Sequence, residues 1–197
     1  MCIRDRTYAC RYSKYLDGSK RKIDWENSQH ALDQKKIIAR RAFLELTDSK
    51  QVVNLGIGTP EVIAEVAKEE NQIDKLILTT EAGVHGGLPS GGLSFGTAVN
   101  TDAIISQNQQ FDFYDGGGIH TAFLGMAQID KMGNVNVSRF SGRLAGAGGF
   151  VNISSSSENI VFCGTFTSGG LQLQVEDEKI NILNEGKIIK FTNKVCL

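Results

Sequence analysis

Glu81 is the side chain whose type and position most directly suggest chemistry. It follows an apolar run, residues 73–80, that predicts a buried strand, and it precedes Gly83, Gly86 and Gly87. In open α/β sheets, ligands bind outside the carboxyl ends of the strands, and glycines let a ligand approach the backbone because they lack a Cβ atom. Glu81 is therefore a candidate site residue. The alternative interpretation is a turn or helix N-terminal carboxylate that neighbouring amides satisfy.

The histidines and cysteines form no pattern of comparable strength. The three histidines are scattered, with no H-E-x-x-H motif, and the four cysteines include no C-x-x-C pair. We predict no metal site and no disulfide framework. The cysteine usage indicates a reducing compartment, and we predict a cytoplasmic protein. Cys163 is expected to fill the core as a small apolar side chain.

The composition is that of an ordinary globular domain. The 197 residues carry 21 Lys and Arg against 22 Asp and Glu, a net charge of −1, so the basic excess typical of nucleic-acid-binding proteins is absent. No run approaches the roughly 18 apolar residues of a membrane span. We therefore predict neither a nucleic-acid partner nor a membrane segment. Residues 1–32 are interpreted as a linker or a frayed or spurious start, and residues 33–197 as one domain.

The first elements of the domain form a strand, helix, strand unit that follows an opening helix. Asp33 is the predicted N-cap of the opening helix. Residues 51–58 predict a strand that runs into glycines, and Thr59 with Pro60 predicts the N-cap and first position of the next helix. Residues 73–80 predict the second strand. This order predicts a parallel pair of strands joined by a crossover helix.

Beyond Glu81 the pattern predicts loops and strands. Residues 111–118 predict a turn-rich aromatic loop, residues 121–138 a hairpin with a glycine turn, and residues 159–167 a strand rich in β-branched and aromatic side chains. Residues 171–191 alternate with period two around an Asn-Glu-Gly turn, which indicates an antiparallel pair. We assign the chain to the α/β class, with an open mixed, largely parallel sheet flanked by helices.

Five blocks between about residues 35 and 170 resemble the second, catalytic half of the family I coenzyme A transferases, closest to the acetate, propionate and short-chain acyl type. They occur in the order and at the spacing of that family, and the stretch over which the resemblance extends covers more than half of the chain. The blocks are NLGIGTPEVIAEVA, TTEAGVHGGLPSGGLSFGTAVN, FDFYDGGGIHTAFLGMAQIDKMGNVNVSRF, RLAGAGGFVNIS and VFCGTFTSGGL. The resemblance implies an open α/β fold with a seven-stranded sheet and an active site between the two halves of the enzyme.

The resemblance gives Glu81 the role of the family's catalytic glutamate. Its carboxylate would attack an acyl-CoA thioester, and a glutamyl-CoA thioester would then pass CoA to a carboxylic acid in a ping-pong reaction. A carboxylate is already ionised at neutral pH, so it needs no partner base. The resemblance also assigns Gly148 and Gly149 as backbone donors to the oxyanion of each tetrahedral intermediate.

The resemblance implies CoA as a substrate, no permanently bound cofactor, and a homo-oligomer acting in short-chain fatty acid, acetate or ketone-body metabolism. The CoA-binding positions fall on Asn54, Gly56, Gly83, Asn136, Arg139 and Arg143. The two arginines, with Lys131 as a further candidate, would meet the phosphates of CoA. Taken alone, the asparagines are equally consistent with turn caps and the basic residues with solvated surface charge. His85 either contacts substrate or packs.

Part of the family pattern has no counterpart in this sequence. The N-terminal partner half is missing upstream, and the sequence stops before the family's terminal strands. We therefore expect a piece of a longer enzyme, truncated at the C-terminus of the domain, that retains the nucleophile and turns over poorly or not at all alone. Two other functions stay open. One is an acyl-CoA hydrolase, which needs no acceptor acid, and the other is a non-catalytic ligand-sensing domain of the same fold, which has no use for the Glu81 carboxylate.

Overall fold

A computed structural model describes residues 14–16, 18–21, 31–46, 49–91, 94–140 and 142–195. The side chains of Phe140 and Arg143 are outside the description, as are His30, most of the predicted linker and three of the four cysteines. Within the described ranges, no helix is long and apolar enough to cross a membrane.

A six-stranded sheet forms the centre of the fold. Its strands are β1 Gln51–Leu55, β2 Leu76–Thr79, β3 Val84–His85, β4 Ala103–Ile104, β5 Thr121–Leu124 and β6 Asn159–Phe162. Their order across the sheet is β6-β5-β1-β2-β3-β4. Strands β6, β5, β1 and β2 are parallel, whereas β3 is antiparallel to both of its neighbours. The predicted α/β class with an open mixed sheet is confirmed, and the described residues supply six of the seven strands that the resemblance implied.

Two pairs of helices cover the two faces of this sheet. The helices are α1 Gln34–Phe43, α2 Val62–Glu69, α3 Gln107–Asp115 and α4 Phe150–Ser156. Helices α1 and α2 form one hydrophobic core with the sheet, and α3 and α4 form the other. Successive side chains of a strand point to opposite faces, so β5 contributes Phe123 to the first core and Ala122 and Leu124 to the second. The central strands β5, β1 and β2 are therefore buried on both faces, whereas the outer strands β6 and β4 are partly exposed.

The predicted opening helix and parallel unit are present, with a later start for α2. Asp33 caps α1, since its carboxylate accepts a hydrogen bond from Lys36 N–H at 2.9 Å. Strand β1 lies parallel to β2, as predicted. Helix α2 begins at Val62, so the prediction that Thr59 and Pro60 open it is wrong. These two residues form a turn instead, because Val62 N–H donates to Thr59 O, three residues earlier, as in a 3₁₀ turn.

Residues 107–115 form α3, so the prediction of an aromatic loop over residues 111–118 is wrong. Ser106 precedes the helix, and its N–H and hydroxyl both donate to Oε1 of Gln109, at 3.2 and 2.8 Å. Phe111 and Tyr114 are three residues apart and therefore neighbours on the helix surface, where Tyr114 is fully buried. The glycines that suggested a loop only end the helix.

The C-terminal strands pair antiparallel as predicted, but around a different turn. Strands Gln172–Glu176 and Lys179–Asn184 are joined by Asp177 and Glu178, whose φ angles are 49° and 60°. Two successive positive φ angles are the geometry of a type I′ turn, which matches the twist of the strands. The predicted Asn-Glu-Gly turn lies beyond the second strand and leads into Ile188–Ile189.

Three strands are shorter than their apolar runs predicted. A 3₁₀ turn at Ile73–Lys75 precedes β2, and β6 ends at Phe162. The predicted glycine-turn hairpin spans only Gln128–Asp130 and Val135–Asn136, because β5 joins the central sheet. Further short pairs are Leu88–Pro89 with Ala98–Val99, Arg139–Phe140 with Arg143–Leu144, Thr167–Ser168 with Ile188–Ile189, and Phe191–Thr192 with Gln128–Asp130.

Described parts of the predicted linker contact the domain. Tyr15 O accepts a hydrogen bond from Asn100 N–H at 3.0 Å, and Arg21 pairs with Asp102 at 2.6 Å. Both side chains of the ion pair are exposed, so the pair contributes little to stability. The boundary between residues 32 and 33 stays a prediction.

We expect the buried ion pair between α1 and α2 to dominate the stability of that layer. Lys36 Nζ lies 2.8 Å from Glu69 Oε1, with side-chain exposures of 10% and 14%. Glu69→Gln removes the carboxylate that pairs with Lys36 and, through its other oxygen, with Arg40 at 3.1 Å, and should lower the free energy of unfolding by about 3 kcal/mol, measured by urea denaturation. Glu70→Gln is the matched control, because Glu70 is 40% exposed, and should cost less than about 1 kcal/mol. Equal losses would contradict the assignment.

Candidate functional site

The carboxyl ends of the parallel strands bring the predicted site residues Glu81 and Gly56, together with Gly125, to one edge of the sheet. Glu81 follows β2, Gly56 follows β1 and Gly125 follows β5. The chain passes from β1 to β2 on one side and later to β5 on the other, so a topological switch point lies between β1 and β5. Open α/β sheets bind ligands at such points. The two strands are in direct contact there, since Gly56 N–H donates to Phe123 O at 2.8 Å.

Glu81 lies at the tip of the tight hairpin between β2 and β3. Gly83 N–H donates to Thr80 O at 3.0 Å and Thr80 N–H donates to Val84 O at 3.1 Å, which closes a three-residue loop around Glu81. Gly83 has a φ of +104°, and a Cβ atom there would overlap Ile105 O. Only glycine fits that position, so Gly83 holds the hairpin in place and the structure explains its presence without a ligand.

The Glu81 carboxylate is half-buried against residues from other parts of the chain. A Cβ atom at Gly149 would lie 2.7 Å from Oε2 of Glu81 and 2.9 Å from Cζ of Phe111, so the carboxylate rests directly on the glycine backbone. No described residue donates a hydrogen bond to this carboxylate. Burial therefore raises the pKa of Glu81 above its usual value. A carboxylate without donors is poorly solvated, which strengthens it as a nucleophile.

One of the two predicted oxyanion donors, Gly149, lies beside this carboxylate, and Gly148 precedes it in the chain. Gly149 directly precedes α4, and Gly148 is exposed before it. Phe150 N–H donates to Ala147 O at 3.1 Å, which closes the turn and leaves the N–H groups of Gly148 and Gly149 without an acceptor among the described residues. Unpaired amides are the groups that an oxyanion requires, and the role of these two as oxyanion donors stays a prediction.

A chain of buried hydrogen bonds joins β1, β2 and α3 beneath this edge. Thr79 Oγ1 donates to Val53 O at 3.1 Å, the Tyr114 hydroxyl donates to Thr79 Oγ1 at 3.0 Å, and Asn54 Nδ2 donates to the Tyr114 hydroxyl at 3.0 Å. All three side chains are fully buried. Burial is the main reason that the pKa of Tyr114 is raised, and the Glu81 charge adds to this shift. Glu81 is thus within electrostatic reach of the chain of hydrogen bonds.

The direction of these hydrogen bonds fixes the orientation of Asn54. A backbone carbonyl only accepts, so Thr79 must donate to Val53, and the Tyr114 hydroxyl must then donate to Thr79. The Tyr114 oxygen is left as an acceptor, and Asn54 must present its amide nitrogen to it. Oδ1 of Asn54 therefore points away from Tyr114, buried and without a described donor. Such an atom can accept a hydrogen bond from a buried water or from a ligand donor that reaches it.

Gln110 and His85 form a second polar contact between α3 and β3. His85 Nε2 and Gln110 Oε1 are 2.5 Å apart, and the His85 ring packs edge-on against Phe113 with ring centroids 5.2 Å apart. Nε2 of Gln110 is buried without a described partner. Of the two interpretations of His85, the structure shows the packing contact.

The amide of Asn136 is used within its own turn. Its Nδ2 donates to Gln128 Oε1 and to Arg139 O, at 3.0 and 2.6 Å, and its Oδ1 accepts from the N–H groups of Ser138 and Arg139. The structure therefore accounts for Asn136 as a turn-forming residue. Its predicted contact with CoA stays a prediction.

The basic candidates for phosphate binding also stay predictions. Lys131 and Arg139 are exposed to solvent, and the side chain of Arg143 lies outside the described residues. Cys163 is 3% exposed, and burial raises the pKa of its thiol to about 11, which leaves it unreactive at neutral pH. The interpretation of Cys163 as an apolar core residue therefore agrees with the structure.

Three residues of the site escaped the sequence reasoning. Phe111 contacts the space beside Glu81, and Thr79 and Tyr114 form the buried hydrogen bonds. The available signal was the spacing of Phe111 and Tyr114, three residues apart and soon after Ser106, which fits a capped helix. The glycines that follow Tyr114 favoured the prediction of a loop over that of a helix.

The chain is similar to known proteins, although no protein-family model matches it. It is 42% identical over 183 residues to the acetate CoA-transferase YdiF of Escherichia coli K12, which covers 93% of this chain and 34% of that protein. It is 41% identical over 169 residues to the caffeate CoA-transferase of Acetobacterium woodii, covering 83% of this chain and 32% of that protein. The chain thus spans about a third of the length of the curated relatives it matches.

A solved structure shares both sequence and fold with this chain. The crystal structure of an acyl-CoA transferase from Escherichia coli O157:H7, YdiF in a thioester complex with CoA, matches with a TM-score of 0.76 and 43% identity. The match covers 83% of this chain and 30% of that one. Sequence and fold therefore lead to the same kind of relative.

We expect Tyr114→Phe to destabilise the chain because it removes the hydroxyl that links Asn54 to Thr79. A buried amide then loses its acceptor, which costs about 1–3 kcal/mol of unfolding free energy in urea denaturation. Thr79→Val removes the neighbouring hydroxyl. The double variant should lose less than the sum of the two single losses, because the two hydroxyls bond each other. Strict additivity would contradict the chain of hydrogen bonds.

We expect Glu81→Gln to raise the melting temperature at pH 7. Burial raises the pKa of Glu81 above 4.5, so ionisation costs more in the folded state than in the unfolded state, and wild-type stability falls as pH rises from 4.5 through the folded pKa. The glutamine variant lacks this cost, so its advantage should vanish below pH 4.5. Glu158→Gln, at an exposed position, should show no such difference. A less stable Glu81→Gln variant at pH 7 would show that donors stabilise the carboxylate.

Proposed function

Because the chain belongs to the coenzyme A transferase family, we propose that it carries the nucleophile of an acyl-CoA:carboxylate CoA transferase and that Glu81 is this nucleophile. The observation that supports the proposal most is the Glu81 carboxylate itself. It stands at the carboxyl edge of the parallel sheet, half-buried, without a described hydrogen-bond donor, and against Gly149.

The first half of the reaction moves CoA onto the protein. A Glu81 oxygen attacks the thioester carbonyl of an acyl-CoA, the carbon–sulfur bond breaks, and CoA leaves as a thiolate from an acyl-glutamyl anhydride. The thiolate then attacks the Glu81 carbonyl of this anhydride and displaces the original acid as a carboxylate. Glu81 is left as a glutamyl-CoA thioester, and no proton transfer is required.

The second half of the reaction reverses these steps with a different acid. The acceptor carboxylate attacks the Glu81 thioester carbonyl, the thiolate leaves and attacks the acceptor's acyl carbon, and Glu81 is released as a carboxylate. A new acyl-CoA departs. Each attack passes through a tetrahedral oxyanion, and the N–H groups of Gly148 and Gly149 are the donors proposed for it, each worth roughly 100-fold to 1000-fold in rate.

Other parts of the site fit the same chemistry. Oδ1 of Asn54 is an unpaired acceptor near the switch point, suited to an amide N–H of the pantetheine arm. Gly56 lies against the backbone of β5, so close packing of the two strands explains this glycine and its contact with CoA stays a prediction. Water would hydrolyse either intermediate, so the working crevice must exclude it. We propose that residues beyond this chain, from the other half of such an enzyme, supply the remaining wall, in a cytoplasmic homo-oligomer.

Mass spectrometry of the intact chain tests the nucleophile. After incubation with propionyl-CoA, we expect an adduct with the mass of CoA less one water, mapped to the Glu81 peptide and removed by hydroxylamine. Glu81→Gln should form none, and Glu158→Gln should form as much as the wild type. Because the chain spans about a third of its relatives, a parallel sample extends it to their full length. No adduct in either sample overturns the proposal and favours the ligand-sensing alternative.

An exchange assay separates the transferase from the hydrolase. A transferase incorporates labelled acetate into acyl-CoA in proportion to the acetate supplied, whereas a hydrolase releases free acid and CoA from acyl-CoA alone. Release of free acid and CoA at a rate that does not depend on the acetate concentration would favour the hydrolase.

A further inference from the structure

Lys190 lies in a cavity at the carboxyl edge of the sheet that the proposed chemistry does not use. The cavity has a volume of about 390 Å³, and Met126, Val137, Ser168 and Ile188 are among the residues that line it with Lys190. Met126 follows β5 by two residues, so the cavity opens at the same edge of the sheet as Glu81.

The backbone of Lys190 is held on both sides. Its N–H donates to Phe166 O at 2.9 Å, and its carbonyl accepts from Ile129 N–H at 2.8 Å. The ammonium group lies 3.7 Å from the position that a Cβ atom at Gly164 would occupy, and Met126 is beside it. Gly164 follows β6 by two residues. The backbone of Lys190 is thus fixed, and its ammonium group lies just outside the carboxyl ends of β5 and β6.

This ammonium group has no carboxylate partner among the described residues. Lys36, the other lysine drawn into the interior, pairs with Glu69, whereas the surroundings of Lys190 are mostly apolar. Burial lowers the pKa of Lys190, since the cavity does not compensate the charge. A half-buried cation without an anion is costly, and an anionic ligand in the cavity would offset that cost.

The distance between Lys190 and Glu81 indicates which anion of the proposed reaction can bind at Lys190. Neighbouring strands are about 4.8 Å apart, so β5 lies roughly 10 Å from β2, which carries Glu81. A carboxylate bound at Lys190 is therefore too far away to react at Glu81. The pantetheine arm of CoA has the length of about four extended residues, roughly 14 Å, and it separates the thioester from the diphosphate. The diphosphate is thus the anion whose distance fits.

We propose that Lys190 and its cavity form a phosphate subsite that binds the diphosphate of CoA while the thioester lies at Glu81. This assignment of the phosphate to CoA rests on the proposed function. The subsite is distinct from the exposed Lys131 and Arg139, because its cation is held by the fold and is partly shielded from water.

Calorimetric titration of four probes tests the subsite: CoA, 3′-dephospho-CoA, pantetheine and inorganic pyrophosphate. Lys190→Met keeps the length of the side chain and removes the charge. We expect this substitution to lower the affinity for CoA, 3′-dephospho-CoA and pyrophosphate by about 10-fold and to leave the affinity for pantetheine unchanged. Lys187→Met is the matched control, because it removes the same charge from the same segment at an exposed position. It should weaken the anionic probes much less.

Four outcomes overturn the subsite. These are equal effects of the two substitutions, a loss of pantetheine binding in Lys190→Met as large as that of CoA, no saturable binding of CoA by the wild type, and pyrophosphate binding that depends on Lys190 when CoA binding does not. The last would leave a site for free phosphate only.

The titration is independent of the covalent chemistry. Free CoA has no acyl group for Glu81 to attack, so its binding does not require the nucleophile. Glu81→Gln should therefore retain the full effect of Lys190→Met on CoA binding. If no adduct forms on Glu81 but CoA binding depends on Lys190, the proposed function fails and the subsite stands.

Discussion

The parallel alignment of β6, β5, β1 and β2 is the constraint on which the candidate site depends. Parallel strands end at the same edge, and the reversal of strand order between β1 and β5 opens a crevice at that edge. The fold thereby gathers residues that are far apart in sequence, such as Asn54, Glu81, Gly149 and Lys190. Helices on both faces keep β5, β1 and β2 buried, so the polar groups at the ends of these strands have few partners except one another and a ligand.

The buried hydrogen bonds beneath Glu81 all run in one direction from donor to acceptor. Val53 O, Thr79 and Tyr114 form an ordered series of hydrogen bonds, and the series leaves Asn54 with only one orientation of its amide. A hydrophobic residue in place of Tyr114 would fill the volume but would not set that orientation. Burial of polar groups costs stability unless they are paired, so this arrangement trades some stability for a defined acceptor at the strand end.

The sequence was sufficient for the parallel sheet, for the Asp33 cap and for the place of Glu81, because these depend on local apolar runs and on capping residues. It failed at α3, where the glycines after Tyr114 outweighed the helical spacing that tertiary packing selects. It failed also at Asp177 and Glu178, since neither residue is a strong signal for positive φ. The juxtaposition of Gly149 with Glu81, and of Lys190 with β5 and β6, comes from contacts between distant segments, which no local pattern encodes.

The hairpin that carries Glu81 also bears on how fast the site can rearrange. The hairpin backbone lies so close to Ile105 that no side chain fits at Gly83. The two hydrogen bonds of the loop hold the hairpin in this conformation. Movement of the carboxylate between donor and acceptor is thereby confined to the torsions of one side chain. Such torsions relax on the order of picoseconds to nanoseconds, far faster than loop or domain closure. If the proposed chemistry takes place at Glu81, we therefore expect that reorganisation of the peptide that carries this residue does not limit the rate.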